Sequence, residues 1–149
     1  MNQDTIGVGV STCNRPEMLN TLLESLDPCN FNHLVIVNDG DSKLESLPSG
    51  IETSATVIDN ERNLGVGMCK NMQMKYLLDQ QCEHIFLLED DMEIINNDLF
   101  DIYIAVAERT GVKHLNYCLH GEDNKLNGKA NPKIVVDYGD VKISLYHNI

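Results

Sequence analysis

The sequence predicts an α/β fold with a mostly parallel sheet flanked by helices. Two observations carry this prediction. Short apolar runs alternate with helical patterns over the first 120 residues, and three of those runs end in polar or acidic loops. Alternation of this kind is typical of βαβ units, which build parallel sheets covered by helices. With 149 residues, the chain is long enough for one domain with a substantial core, and we assign residues 1–149 to it.

The first part of the chain predicts three strands and one helix. Residues 6–10 form a short apolar run, and Pro16 suits the first turn of the helix that follows. In that helix, Met18 and four leucines recur at helical spacing up to Leu26. The apolar runs at 33–37 and 54–58 predict the second and third strands.

The remaining elements follow the same logic. Residues 68–78 predict a second helix, and we interpret Met68 and Met72, which share a face with Tyr76, as core packing. Residues 84–88 predict a fourth strand. A third helix over 98–109 has Asp98 as its N-cap, and 112–119 predict a fifth strand. Residues 134–138 and 141–146 predict a hairpin.

Three adjacent carboxylates, Glu89, Asp90 and Asp91, follow the fourth strand directly. We interpret this strand as buried in the parallel sheet, and ligands of open α/β sheets bind beyond the carboxyl ends of the strands. Neighbouring negative charges repel each other, and Mg²⁺ or Mn²⁺ would relieve that repulsion. Such cations usually bring a phosphate-bearing substrate. The alternative interpretation is a solvated acidic turn.

The loops after the first, second and fourth strands should open on the same edge of the sheet. Asp39 could accept hydrogen bonds from a base or ribose there, and Arg15 and Arg62 could bind phosphates in bidentate fashion. Two Gly-x-Gly fragments, at 7–9 and 65–67, lack the third glycine of a dinucleotide-binding turn. They therefore predict no cofactor site.

Composition excludes several classes of function. The chain has 11 basic and 23 acidic residues and a net charge of −12, which argues against a nucleic-acid surface. No apolar run reaches the length of a transmembrane helix, and the N-terminal segment lacks the features of a signal peptide. The five scattered cysteines show no Cys-x-x-Cys spacing, which favours reduced thiols and a cytoplasmic location.

Four segments together resemble the nucleotide-sugar-binding half of the family 2 glycosyltransferases, which have the Rossmann-like A-type glycosyltransferase fold. In family order they are VGVSTCNRPEMLNTLLESL, VIVNDGDS, NERNLGVGMCKN and IFLLEDD. They cover about residues 5–100, which leaves residues 112–149 as an incomplete start of the acceptor side. Asn38 stands where the family's VDDGS segment has its first Asp, and Glu89 replaces the first Asp of the DxD-type motif.

The resemblance implies a hexosyltransferase-like enzyme. It would transfer a sugar from a nucleotide-diphosphate sugar, with UDP as the expected nucleotide, to a glycan or other hydroxyl acceptor. The reaction would be metal-dependent and inverting, in surface polysaccharide or glycan synthesis. Asp91 would bind Mn²⁺ or Mg²⁺. The implied substrate-binding residues are Thr12 and Arg15 near the nucleotide, Asp39 at the base, Arg62 and Lys70 near the nucleotide or diphosphate, and Asp90 at the ribose or sugar.

Other functions stay open at this point. Little of the chain follows Asp91, and no spacing identifies a general base, so the chain could be a non-catalytic nucleotide-sugar-binding module or a fragment that needs a partner chain. A nucleotidyltransferase would need a glycine-rich basic loop near the N-terminus, where the chain has STCNRPE. A receiver-like domain would need acidic residues after the first strand. The oligomeric state is likewise open.

Overall fold

In the computed structural model, the chain divides into two compact units, Met1–Asn97 and Asp98–Ile149. The structure describes residues 5–52, 54–117, 134–138 and 141–145, and from residue 116 onwards it describes the backbone only. The division falls close to residue 100, where the resemblance to the nucleotide-sugar-binding half ends. The assignment of all 149 residues to one domain stays a prediction.

The first unit is built around a parallel sheet. Its four strands pair in the order β3-β2-β1-β4, all in parallel. This confirms the predicted α/β fold with a parallel sheet flanked by helices. The elements in chain order are β1 (Ile6–Thr12), α1 (Pro16–Leu26), β2 (His33–Asn38), β3 (Ala55–Asp59), α2 (Val66–Asp79) and β4 (His84–Glu89).

Helix α2 packs closely against β1 because two glycines leave room for it. A Cβ on Gly7 would lie 2.8 Å from Leu77 Cδ2, and a Cβ on Gly9 would lie 2.9 Å from the Cβ of Gln73. A real Cβ atom essentially never lies this close to a non-bonded heavy atom. The first Gly-x-Gly fragment therefore serves helix–strand packing.

Strand β4 is less buried than the sequence predicts. Ile85, Phe86 and Leu87 are only half-buried, because β4 is an edge strand of the sheet in the described part of the chain. Ile85 and Leu87 still pack against the buried cluster beneath α2. The interpretation of β4 as a buried strand is thus correct only for Leu88, whereas the position and direction of the strand are confirmed.

The interpretation of the two methionines in α2 is only half right. Met72 and Tyr76 pack against the core cluster, whereas Met68 is 51% exposed. Met68 lies in the first turn of α2, one turn before Met72, at the end of the helix nearest the loops. The buried face of α2 instead follows Cys69, Gln73 and Leu77, which are spaced four residues apart.

The second unit contains α3 (Leu99–Thr110) and a three-stranded sheet of β5 (Leu115–Tyr117), β6 (Ile134–Tyr138) and β7 (Val141–Leu145). The strands pair antiparallel in the order β5-β7-β6, which confirms the pairing of the predicted hairpin. The fifth strand does not continue the parallel series that the alternating pattern suggested. Asp98 precedes α3 as predicted, but its side chain makes no capping hydrogen bond.

No helix in the described residues combines the length and the apolar character needed to cross a lipid bilayer.

Candidate functional site

A cleft of about 260 Å³ opens where β1, β2 and β4 end. These are the three strands whose following loops were predicted to converge. The cleft contains three of the predicted site residues, together with several that the sequence did not single out. It is lined by Ser11, Thr12, Cys13, Arg15, Asp39, Asn63, Gly65, Val66, Cys69 and Glu89.

Asp39 organises the loop that leads into α2. Its Oδ1 accepts hydrogen bonds from Asn60 Nδ2 at 2.7 Å and from the Leu64 N–H at 2.8 Å, and its Oδ2 accepts one from the Gly65 N–H at 2.8 Å. Its backbone carbonyl accepts a further hydrogen bond from Asn63 Nδ2 at 3.1 Å. The carboxylate is buried and faces the protein through both oxygens. Its proposed contact with a base stays a prediction.

These contacts change the acidity of Asp39. Burial raises the pKa of the carboxyl, but the hydrogen bonds from the Leu64 N–H, the Asn60 amide and the Gly65 N–H together outweigh it. The pKa therefore lies below its ordinary value. A carboxyl whose pKa is lowered by folding stabilises the folded state above its unfolded pKa, and this contribution is lost as pH falls through the folded pKa.

Replacement of Asp39 by asparagine is expected to lower the free energy of unfolding by about 2 kcal/mol at pH 7, because an amide NH₂ would face an N–H donor. The difference from the parent chain should shrink as the pH falls below about 4, because the carboxyl of the unfolded parent chain is protonated there first and that of the folded chain only at lower pH. Urea unfolding at pH 7 and pH 3 tests this. Asp79→Asn, at an exposed carboxylate, is the control, and an equal loss at both pH values would contradict the account.

The departure at Asn38 has a local reason. Its Nδ2 donates to Asp59 Oδ1 and to the Ser42 carbonyl, both at 2.7 Å. Its Oδ1 accepts a hydrogen bond from the Gly40 N–H at 3.1 Å. A carboxylate at this position would face the carboxylate of Asp59 and could not donate. Asn38 therefore fixes the turn that carries Asp39.

Arg15 and Asp90 form an ion pair at the base of the acidic loop. Arg15 Nη2 lies 2.6 Å from Asp90 Oδ1, and Thr12 Oγ1 donates to Asp90 Oδ2 at 2.7 Å. The Asp90 side chain is fully buried, and no other described residue offers Oδ1 a hydrogen bond of good geometry. The Arg15 charge is therefore what offsets this buried carboxylate.

The other two carboxylates of the acidic run diverge from Asp90. Glu89 lines the cleft and accepts a hydrogen bond from Lys70 Nζ at 2.8 Å. Asp91 is half exposed, and its Oδ2 lies 3.6 Å from Arg15 Nη1. Lys70 and Arg15 therefore offset much of the repulsion between these carboxylates, which the sequence had suggested a metal ion would relieve. Asp91 and Glu89 are both partly exposed to solvent, at 51% and 45%, whereas Asp90 is buried.

The described residues contain no group of three His, Cys, Asp or Glu side chains that could hold a metal ion. Mg²⁺ and Mn²⁺ at phosphate sites commonly take only one or two carboxylates and complete their shell with phosphate oxygens and water. The exposed carboxylate of Asp91, beside the cleft residue Arg15, fits such a cation. The assignment of Asp91 as its ligand stays a prediction.

The structure separates the predicted phosphate-binding cations. Arg15 lines the cleft, and Lys70 reaches its edge through Glu89. Arg62 is exposed and does not line the cleft. Among the residues that the sequence did not single out, Asn63 and Gly65 belong to the NERNLGVGMCKN segment, whose spacing gave a usable signal. Nothing in the sequence, by contrast, distinguished the cleft residue Cys13 from the other cysteines.

No protein-family model matches the chain, and no curated protein matches it in sequence. Solved structures of S. aureus TarS do match it. TarS aligns with 87% of this chain at 20% identity and a TM-score of 0.57. TarS 1–349 in complex with UDP aligns with 88% at 22% identity and a TM-score of 0.59, and its complex with UDP-GlcNAc gives 88%, 20% and 0.56.

The chain shares the fold of the part of TarS with which it aligns. It spans less than half of the chains that it matches, namely 23% of TarS and 40% and 39% of TarS 1–349 in the two complexes. The likeness supports the predicted truncated Rossmann-like arrangement. Membership of family 2 stays a prediction.

Proposed function

We propose that this chain is the donor-binding part of a glycosyltransferase that transfers the sugar of a UDP-linked sugar to an acceptor hydroxyl with inversion, releasing UDP. One observation carries the proposal. A cleft lined by Arg15 lies at the carboxyl ends of β1, β2 and β4, in a fold shared with TarS, which has been solved in complex with UDP and with UDP-GlcNAc. Ligands of open α/β sheets bind at this edge.

Two cations at the cleft could bind the phosphates of a nucleoside diphosphate. Arg15 presents a half-exposed guanidinium at the cleft, and Lys70 lies at its edge. Guanidinium and ammonium groups are the usual protein partners of phosphate oxygens. Asp91 is the residue that would hold Mn²⁺ or Mg²⁺. When bound, such a cation stabilises the negative charge that develops on the departing nucleoside diphosphate.

Calorimetric titration of the chain with UDP, GDP and dTDP, each with and without Mn²⁺, tests the donor site. We expect UDP to bind more tightly than the other two, and Mn²⁺ to strengthen its binding. Lys75→Met, which removes an exposed cation from the surface of α2, is the control and should bind UDP unchanged. Failure of all three nucleotides to bind would contradict the proposal.

A non-catalytic nucleotide-sugar-binding module is the second candidate. It is favoured by the sequence, in which no spacing identifies a general base. Both candidates predict UDP binding, so the distinguishing measurement is turnover. Slow Mn²⁺-dependent hydrolysis of UDP-GlcNAc by the isolated chain would favour the enzyme. Binding without hydrolysis or transfer would favour the module.

A further inference from the structure

Gln73 is a polar residue on the buried face of α2. It is completely buried, and it lies between Cys69 and Leu77, which are also buried. Its Nε2 donates to Ser11 Oγ at 2.7 Å, but its Oε1 accepts no hydrogen bond from any described residue. A buried amide oxygen without a partner destabilises the folded state. Packing alone would therefore favour an apolar residue at this position.

The orientation of the amide follows from its neighbours. A Cβ on Gly9 would lie 2.9 Å from Gln73 Cβ, 3.0 Å from Oε1 and 3.1 Å from Cγ, so the Cα–H of Gly9 faces this side chain, including its oxygen. A Cα–H group is a weak donor and suits an acceptor better than an NH₂ group. Because Oε1 faces Gly9, Nε2 faces Ser11.

This hydrogen bond decides where the Ser11 proton can go. A hydroxyl has one proton to donate, and Ser11 Oγ already accepts from Gln73. No described residue accepts the Ser11 proton, and Ser11 lines the cleft. Ser11, a residue of the cleft lining, thus has its hydroxyl oxygen held by α2 and its proton left to donate.

We propose that Gln73 is a positioning residue that holds the Ser11 hydroxyl as a hydrogen-bond donor to an oxygen atom of the bound nucleotide. This inference rests on the proposed function, because it takes the nucleotide as the occupant of the cleft. It explains why an amide with an unpartnered oxygen lies in the core of the helix–sheet packing. Gln73 itself does not touch the ligand, and Ser11 does.

The inference predicts that stability and binding change in opposite directions. In Gln73→Met, an unbranched apolar side chain replaces the amide, and we expect the Tm to rise by about 1–4 °C. The same change should weaken UDP binding by about threefold, because Ser11 loses the bond that fixes its hydroxyl. A residue with a purely structural role would not weaken binding while raising the Tm.

A double-mutant cycle read by UDP calorimetry is the decisive experiment. Ser11→Ala should weaken UDP binding by about 5- to 10-fold, and Gln73→Met should have no further effect in that background. Gln80→Met, at the exposed end of α2, is the control. Additive losses, or unchanged binding in both single variants, would overturn the inference while the donor site stands. If the parent chain itself binds no nucleotide, both the inference and the proposed function fail.

Discussion

Replacement of Arg15 by methionine is expected to lower the free energy of unfolding by about 2–3 kcal/mol, because it leaves the buried Asp90 carboxylate without its ion pair. The expected loss is below that of a fully buried pair, since the Arg15 side chain is 44% exposed. Thr12 would still donate to Asp90 Oδ2, but Oδ1 would face the protein interior alone. Urea unfolding at neutral pH measures the difference.

Two further variants separate this effect from a general loss of surface charge. Lys75→Met breaks an exposed pair with Asp79 and should change stability by no more than about 0.5 kcal/mol. Arg15→Met combined with Asp90→Asn should regain part of the lost stability, since a buried amide costs less than a buried charge. If Arg15→Met alone were as stable as the parent chain, the pair would be no more than a surface contact.

The same variant also bears on the donor site. Arg15 lines the cleft, so Arg15→Met should weaken UDP binding as well as stability, whereas the double variant should recover stability without binding. Stability would then recover in the double variant and UDP binding would not. Such a difference would show that Arg15 both offsets Asp90 and serves the cleft.

The parallel sheet could be predicted from the sequence because its signals are local. The lengths of the apolar runs and their alternation with helical patterns identify β1, β2 and β4 without knowledge of their neighbours. The edge at which their loops meet then follows from parallel pairing, and the cleft lies there. The burial of β4 and the pairing of β5 depend on which strands are neighbours in the sheet, and the local sequence does not contain that information. The half-buried β4 and the antiparallel pairing of β5 were accordingly missed.

The composition of the cleft was harder to predict for a different reason. Two of the three donors to the Asp39 carboxylate are the main-chain N–H groups of Leu64 and Gly65. Because nearly every residue has such a group, the sequence does not reveal which ones will donate. The sequence suggested that Asp39 binds a base, whereas in the structure both of its carboxylate oxygens already accept hydrogen bonds from the protein. Gln73, in contrast, did carry a signal. Its spacing from Cys69 and Leu77 places it on the buried face of α2.

Charge arguments also need the fold before they can be weighed. In the sequence, three consecutive carboxylates suggested a bound cation because no basic residue beside them could relieve their mutual repulsion. The structure directs Glu89 to Lys70 and Asp90 to Arg15, so repulsion within the run is a weak reason for a metal. The case for a cation now rests on Asp91 and on the expected diphosphate, which makes Asp91 the residue to test.

Replacement of Asp91 by asparagine is expected to reduce Mn²⁺-dependent turnover by about 100-fold or more, because a neutral amide is a poor ligand for a hard cation. Stability should change by no more than about 0.5 kcal/mol, since Asp91 is half exposed and its ion pair with Arg15 is long, at 3.6 Å. Hydrolysis of UDP-GlcNAc with and without Mn²⁺ measures the turnover. Calorimetry of UDP binding across a range of Mn²⁺ concentrations gives a readout that does not depend on turnover.

Glu93→Gln is the matched control, because it removes one negative charge from an exposed carboxylate two residues away. If both variants lost the effect of Mn²⁺ on UDP affinity equally, the general negative charge of the loop would be responsible and not ligation by Asp91. If Asp91→Asn kept full turnover with Mn²⁺, the metal assignment would be wrong. Selective loss in Asp91→Asn, with UDP binding in the absence of metal unchanged, would place the cation at Asp91 because only that carboxylate would then respond to it.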